Sequence, residues 1–145
     1  MNQIDTSFGH VISNTTEAYS IFGNDEQKRV PKEVEPLLQD SQSDYYRFMY
    51  HLYELSREEA AICYAEEKIG ERIISFDSEE GCFQKMINKT LAYIGLTIDP
   101  SLEDRINKLL AENKYSLMFA YQFYLFCRKI FRMSYILQEK GLTYE

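Results

Sequence analysis

Hydrophobic residues recur at helical spacing through most of the chain, and their densest run covers residues 115–137. At about 100° per residue, six large apolar side chains of this run fall on one side of a helix, and Ala120, Tyr124, Cys127 and Phe131 widen that side to about half the cylinder. A helix so broadly apolar must be mostly buried, so we predict a central helix that the rest of the chain covers. Lys140 and Gly141 predict its end, as a cation near the negative helix terminus and a left-handed cap. The apolar side consists of Phe119, Phe123, Phe126, Ile130, Met133 and Leu137.

Residues 44–55 predict the helix that packs first against the central one. Ser43 or Asp44 can cap its start, because both side chains accept hydrogen bonds from free backbone N–H groups. Tyr45, Phe48 and Leu52 belong to a broad apolar face that lies opposite charged side chains.

A second helix is predicted from Arg57 onward, because Ser56 and Glu59 form a capping box. Gly70 would cost this helix about 1 kcal/mol relative to alanine. The alternative is a break at Gly70, followed by a short strand at residues 72–76. The buried stripe predicted for the helix consists of Ile62, Ala65, Ile69, Ile73 and Phe76.

Two shorter helices are predicted between this segment and the central helix. Each begins with a capping side chain and ends where the apolar period stops. Leu96 is expected to pack against the cap at the end of the first one. The predicted boundary residues are Asp77 or Ser78 with Gly95 for the first helix, and Asp99 and Pro100 with Asn113 for the second.

Residues 1–42 are expected to be a polar N-terminal arm and linker, and residues 43–145 a helical domain. Asn14, with Glu17 three residues later, predicts a short helix at residues 15–22, and Pro36 can open one turn in the linker. The sequence allows three arrangements of the arm: it is loosely attached, it is exchanged with a second copy, or it packs on the helical domain through apolar side chains. Those side chains are Phe8, Val11, Ile12 and Phe22. The expected fold is all-α: a compact bundle of about five helices around the long aromatic C-terminal helix.

Composition and charge narrow the class of protein. A chain of 145 residues fits one domain that buries about two thirds of its unfolded surface. With 23 acidic and 16 basic side chains the net charge is −7, which argues against direct nucleic-acid binding. The first residues show no signal-peptide pattern, and each cation within the central helix would cost about 2.5–3.5 kcal/mol at a bilayer centre. We therefore expect a cytoplasmic protein that does not enter a membrane.

No candidate catalytic or metal site is convincing from the sequence. His51 has Glu54 one turn away, which is a possible imidazole base and its orienting group, but no nucleophile motif accompanies them. Glu59 and Glu66 lie two turns apart, yet the Glu-x-x-His elements of di-iron bundles are missing. Cys63, Cys82 and Cys127 are far apart in the sequence and are expected to be buried thiols. No enzyme activity, metal or cofactor is predicted.

Opposite charges concentrate in two helices. Acidic residues dominate residues 54–80, whereas the central helix carries a strip of cations that could bind an anion, namely Arg128, Lys129 and Arg132. Either these cations pair with the glutamate-rich helix, or the glutamates form an outward patch that attracts a basic partner.

The leading hypothesis is a non-catalytic, acidic inhibitor that binds a protein with a basic surface, of the immunity, antitoxin-like or phage anti-defence type. Carboxylates would imitate phosphates, and exposed tyrosines would anchor the contact. One alternative is a homodimeric structural or regulatory subunit that buries the aromatic faces of residues 44–55 and 115–140 between copies. The residues predicted to bind the partner are Glu58, Glu59, Glu66, Glu67, Tyr46, Tyr50 and Tyr64.

A second alternative is a small regulator of the helix-turn-helix type, built from residues 89–110. Two features argue against it: carboxylates at Glu103 and Asp104 open the second helix, and the predicted connection is long for the motif.

Overall fold

The computed structural model describes residues 4–21, 33–70 and 79–141, and these ranges contain six α-helices and no strand. The predicted all-α bundle is therefore confirmed. The helices are α1 (Phe8–Ile21), α2 (Glu35–Gln39), α3 (Asp44–Lys68), α4 (Glu79–Thr97), α5 (Pro100–Glu112) and α6 (Lys114–Glu139).

Helix α6 is the central helix, as predicted, and its most extensive contact is with α3. Phe119, Phe123 and Phe131 of α6 are buried in the common core, because they lie on the broad apolar side of the helix. The Tyr45 hydroxyl of α3 donates a buried hydrogen bond of 2.7 Å to the Ser116 carbonyl, which fixes the two helices against each other. Met133 is an exception to the predicted apolar side, since its side chain is exposed.

Helix α3 is continuous, so the predicted start of a new helix at Arg57 is wrong. The Ser43 side chain caps α3 by accepting the Tyr46 N–H at 3.0 Å, as predicted. The turn before Ser56 is already helical, so the backbone N–H groups that follow Ser56 donate hydrogen bonds to carbonyls within the helix. A Ser-x-x-Glu pattern can cap only where those N–H groups are free.

Helix α3 ends at Lys68, and Gly70 has a φ of 72°, a left-handed conformation that favours glycine. The predicted continuation through Gly70 is wrong, and the alternative of a break at this glycine is the one observed. Ile73, Phe76 and the proposed strand at residues 72–76 lie outside the described residues.

Helix α4 passes through Gly95 and ends at Thr97, so the predicted stop at Gly95 is wrong. A Cβ atom at Gly95 would meet the end of the Glu103 side chain of α5. Leu96 does not pack against a cap and is 89% exposed. The stop comes later because Asp99 must be extended before Pro100. The two predicted capping residues, Asp77 and Ser78, lie outside the described residues.

The predicted boundaries of α5 and α6 are confirmed. The Asp99 side chain accepts the Ser101 N–H at 2.9 Å, with Pro100 in the first turn. Asn113 both ends α5 and caps α6 by accepting the Ser116 N–H. Gly141, with a φ of 70°, follows the last turn of α6.

Helix α1 begins at Phe8, seven residues before the predicted helix, and packs against α6. The Ser7 hydroxyl accepts the His10 N–H at 3.2 Å, so Ser7 caps this end in place of Asn14. Val11 and Thr15 of α1 are fully buried, and α1 is thereby part of the core. Phe22, also predicted to pack, lies outside the described residues. Helix α2 is the predicted turn around Pro36.

Candidate functional site

The inward face of α3 changes from apolar to polar along its length. Tyr45, Met49 and Leu52, in the first half, are fully buried in the core. The same side of the helix continues through Ser56 to three residues that lie one turn apart. These are Glu59, Cys63 and Glu67. This half of α3 is therefore polar where the first half contributes a core stripe.

This polar face lines a cleft of about 1070 Å³ between α3, α4 and α6, which we call the α3–α4–α6 cleft. Its apolar wall includes Met86, Leu125 and Phe126. Its charged lining, within the described residues, comprises the basic side chains Lys85, Lys89, Arg128, Lys129 and Arg132 and the acidic side chains Glu59, Glu67 and Glu79. The described part of this lining therefore has two more cations than carboxylates, in a chain whose net charge is −7.

Ion pairs across the cleft neutralise part of this lining. Lys89 Nζ lies 3.6 Å from Glu59, and Arg132 forms a hydrogen-bonded pair with Glu67. The Arg128 guanidinium lies over the Tyr124 ring at 5.6 Å from its centroid, a favourable cation–π position. Of the three predicted strip cations, Arg132 thus pairs with the glutamate-rich helix, and all three border one cleft.

Ser56 is one of the residues that line the cleft, and its hydroxyl is buried. The residue is 2% exposed, and its Oγ has no hydrogen-bond partner in the described part of the chain. An unpaired buried polar group costs about 1–3 kcal/mol. A bound molecule with an acceptor atom would remove that cost.

Two of the three thiols also line the cleft. Cys63 and Cys82 are half-buried, and Cys63 Sγ lies 3.8 Å from Glu59 Oε1. Cys127 is fully buried in the core, and this burial raises the pKa of its thiol. The prediction of buried thiols is correct for Cys127 and wrong for the other two.

The opposite side of α3 presents an exposed apolar stripe, so the prediction that Ile62, Ala65 and Ile69 are buried is wrong. Ile62 is 54% exposed and Ile69 is 68% exposed. Helical periodicity shows which side chains share a face, but not which face a neighbouring helix covers. We call this surface the outer face of α3 and define it by Glu58, Ala61, Ile62, Ala65 and Ile69, all exposed.

The four predicted glutamates divide between these two surfaces. Glu58 lies on the outer face of α3, and half-buried Glu66 borders it one turn after Ile62. Glu59 and Glu67 line the cleft. The four carboxylates therefore do not form one outward patch.

The predicted tyrosine anchors also contact neighbours within the chain. Tyr46 packs edge-on against Phe8 with centroids 5.2 Å apart, and the Tyr50 ring lies 5.4 Å from the same ring but is 41% exposed. Tyr64 stacks on Tyr135 at 5.9 Å, and its hydroxyl bonds to Glu139. Tyr46 and Tyr64 hold α3 against α1 and α6.

His51 packs between two aromatic rings and is half-buried. Its ring centroid lies 5.6 Å from that of Tyr93 on α4. Burial and then the charge of Arg47 lower the pKa of His51, while Glu54 opposes them. His51 is thus a partly buried histidine.

Three cleft residues were not predicted from the sequence: Ser56, Lys85 and Lys89. The two lysines are one turn apart on α4, and this spacing is the signal that could have placed them on one face. Nothing in the local sequence distinguishes Ser56 from a capping serine.

No group of three or more His, Cys, Asp or Glu side chains suited to a metal ion occurs within residues 4–21, 33–70 and 79–141. None of the helices described is long and apolar enough to cross a membrane. Comparison of the chain with known protein families, curated proteins and solved structures finds no match.

Proposed function

We propose that the protein acts without catalysis, as an inhibitor that binds a partner protein with a basic surface. The observation that supports this proposal is the outer face of α3, where exposed Ile62 lies one turn after acidic Glu58 and exposed Ile69 lies two turns after Ile62. Apolar side chains provide contact area that excludes water, and carboxylates favour a partner of opposite charge. An immunity, antitoxin-like or phage anti-defence protein requires this combination of affinity and charge selection.

The charge of the whole molecule supports a basic partner. A net charge of −7 accelerates the encounter with a positively charged protein and repels nucleic acid. Since Glu59 and Glu67 line the cleft, the proposed surface for the partner protein contains fewer glutamates than the sequence predicted. We assign it to Glu58, Ile62, Ile69 and bordering Glu66, with Tyr50 as an exposed ring farther along α3.

The test compares two variants with equal changes of charge. Glu58→Lys/Ile62→Lys alters the outer face of α3, whereas Glu112→Lys/Asn107→Lys alters exposed positions of α5. Proteins captured on wild type from cells that produce it are purified and titrated against all three forms. We expect at least one basic protein to bind the α3 variant about tenfold more weakly than wild type, or weaker still, where tenfold is equivalent to about 1.4 kcal/mol. The affinity of the same protein for the α5 variant should equal its affinity for wild type. Equal affinity for all three forms would refute the proposal.

A homodimeric subunit is the second candidate, and exposed Ile62 and Ile69 favour it as well. The rings at first assigned to a dimer contact, such as Phe48 and Phe119, are buried within one chain, so a dimer would use the outer face of α3. Sedimentation equilibrium distinguishes the two candidates. If the wild type is a dimer and Ile62→Lys dissociates it, the homodimer hypothesis replaces the inhibitor hypothesis.

Of the two arguments against the helix-turn-helix alternative, one is removed and one remains. Only Ile98 and Asp99 separate α4 from α5, so the predicted long connection is wrong. Glu103 still lies in the first turn of α5, where a recognition helix would meet phosphates.

A further inference from the structure

We infer that the α3–α4–α6 cleft binds a small organic phosphate. This inference does not depend on the proposed protein partner, because the cleft and the outer face lie on different sides of α3. Three independent features support it: the unpaired Ser56 hydroxyl, the excess positive charge, and an apolar wall inside a large cavity.

The Ser56 hydroxyl indicates that the ligand has an acceptor atom. Folding buries this O–H without a partner in the described residues, although helix positions facing a core are normally apolar. A phosphate oxygen within the cleft would accept its hydrogen. A hydrogen bond to a charged acceptor is about twice as strong as one between neutral groups, so the gain in binding exceeds that of an ordinary pair.

The charge balance favours phosphate over a single carboxylate. Lys89 and Arg132 already pair with Glu59 and Glu67, while Arg128 and Lys129 stand at the same cleft. Among the described residues, the lining has two more cations than carboxylates, and a phosphate monoester carries about −1.5 to −2 charges at neutral pH. Arginine also offers a planar pair of donors that matches phosphate oxygens.

The size and wall of the cleft indicate an organic body on the phosphate. Ligand cavities usually measure about 300–1,000 Å³, and the value of about 1070 Å³ here far exceeds one inorganic phosphate. Met86, Leu125 and Phe126 supply apolar surface that a ring or aliphatic body can cover.

Isothermal titration of the full chain at about 0.15 M salt, with ADP, adenosine and pyrophosphate as probes, tests the inference. We expect ADP to bind more tightly than pyrophosphate, and adenosine at least about tenfold more weakly than ADP. Arg128→Gln/Lys129→Gln is expected to weaken ADP binding at least about tenfold. The matched control, Lys108→Gln/Lys114→Gln, removes two exposed cations outside the cleft and should leave the affinity unchanged.

Ser56→Ala distinguishes a function of this hydroxyl in ligand binding from a function in stability. Removal of an unpaired hydroxyl should leave the melting temperature of the unliganded protein unchanged or higher, while ADP binds about tenfold more weakly. A hydroxyl needed only for the fold would instead lower the melting temperature. Bound ADP should also slow the alkylation of Cys63 and Cys82, which line the cleft.

Three results would overturn the inference. The first is that neither ADP nor pyrophosphate binds at about 1 mM. The second is an equal loss of affinity in the two double variants, which would show that only bulk charge matters. The third is adenosine binding as tightly as ADP.

Discussion

At the scale of single residues, the second half of α3 departs from the usual sorting of side chains. A polar hydroxyl, Ser56, is buried without a partner in the described residues, whereas Ile62 and Ile69 are exposed. Most proteins bury apolar side chains and pair buried polar groups, and departures concentrate where a molecule is bound. Ser56 is part of the proposed phosphate site, and Ile62 and Ile69 are part of the proposed surface for the partner protein.

The environment of His51 predicts a loss of stability in mild acid. Burial and Arg47 hold its folded pKa below the ordinary value of 6.5, so the unfolded chain takes up a proton first as the pH falls. The stabilising contribution is complete above pH 6.5 and is lost as the pH falls through 6.5 toward the folded pKa. We predict that His51→Gln reduces the dependence of the free energy of unfolding on pH between about 7 and 5.5.

Urea denaturation at a series of pH values measures this dependence. His10→Gln, on α1, serves as the control for removal of an imidazole. Identical slopes for wild type and His51→Gln would show that the histidine environment contributes nothing to acid sensitivity.

At the scale of helices, the sequence predicted those ends that a local signal determines. Asp99, Asn113 and Gly141 were assigned correctly because a cap acts within one turn and needs no distant partner. Ser56 was misread because the same Ser-x-x-Glu pattern has no capping function inside a helix. Gly95 was misread because a glycine does not by itself end a helix, and the signal that ends α4, an extended Asp99 before Pro100, lies later in the chain.

Two glycines of similar appearance in the sequence should respond oppositely to alanine. Gly70→Ala should destabilise the protein by about 1–2 kcal/mol, because the φ of 72° suits glycine and strains a residue with a Cβ atom. Gly95→Ala should stabilise it by up to about 1 kcal/mol, since alanine favours the helix interior and only the flexible end of Glu103 has to move.

Urea denaturation of both variants measures these free energies. Destabilisation by Gly95→Ala would mean that Glu103 is held in place by the packing of α5. An unchanged stability in Gly70→Ala would mean that the end of α3 adapts at no cost.

At the scale of the whole molecule, the cleft could not be predicted from local patterns. The strip of Arg128, Lys129 and Arg132 was visible on the central helix, but its function depends on which helices face it. Only the packing of α3 and α4 adds Lys85, Lys89 and Ser56 to the same space. Periodicity gives the face of each helix, whereas a site requires the relative placement of several helices.

The docking of α1 is the other property that appears only in the assembled molecule. Phe8 is a single ring in the sequence, yet it packs edge-on against three tyrosines of α3 and against Phe123 of α6, with centroids 5.2–5.8 Å apart. The Tyr53 hydroxyl adds a hydrogen bond of 2.6 Å to the Thr6 carbonyl. These contacts, rather than strong helix propensity, hold α1 on the bundle.

Phe8→Ala should therefore release α1 while leaving the rest of the bundle folded. Because Phe8 is half-buried, we expect a loss of about 2–3 kcal/mol, below the range for a fully buried phenylalanine. A loss of that size makes amide exchange in α1 about 30- to 150-fold faster if the helix opens locally, whereas amides of α4 and α5 keep their protection. Phe8→Leu retains part of the apolar contact and should show a smaller increase in exchange. Equal acceleration in α1, α4 and α5 would instead show that α1 unfolds only with the whole domain, because its packing on α6 is then inseparable from the core.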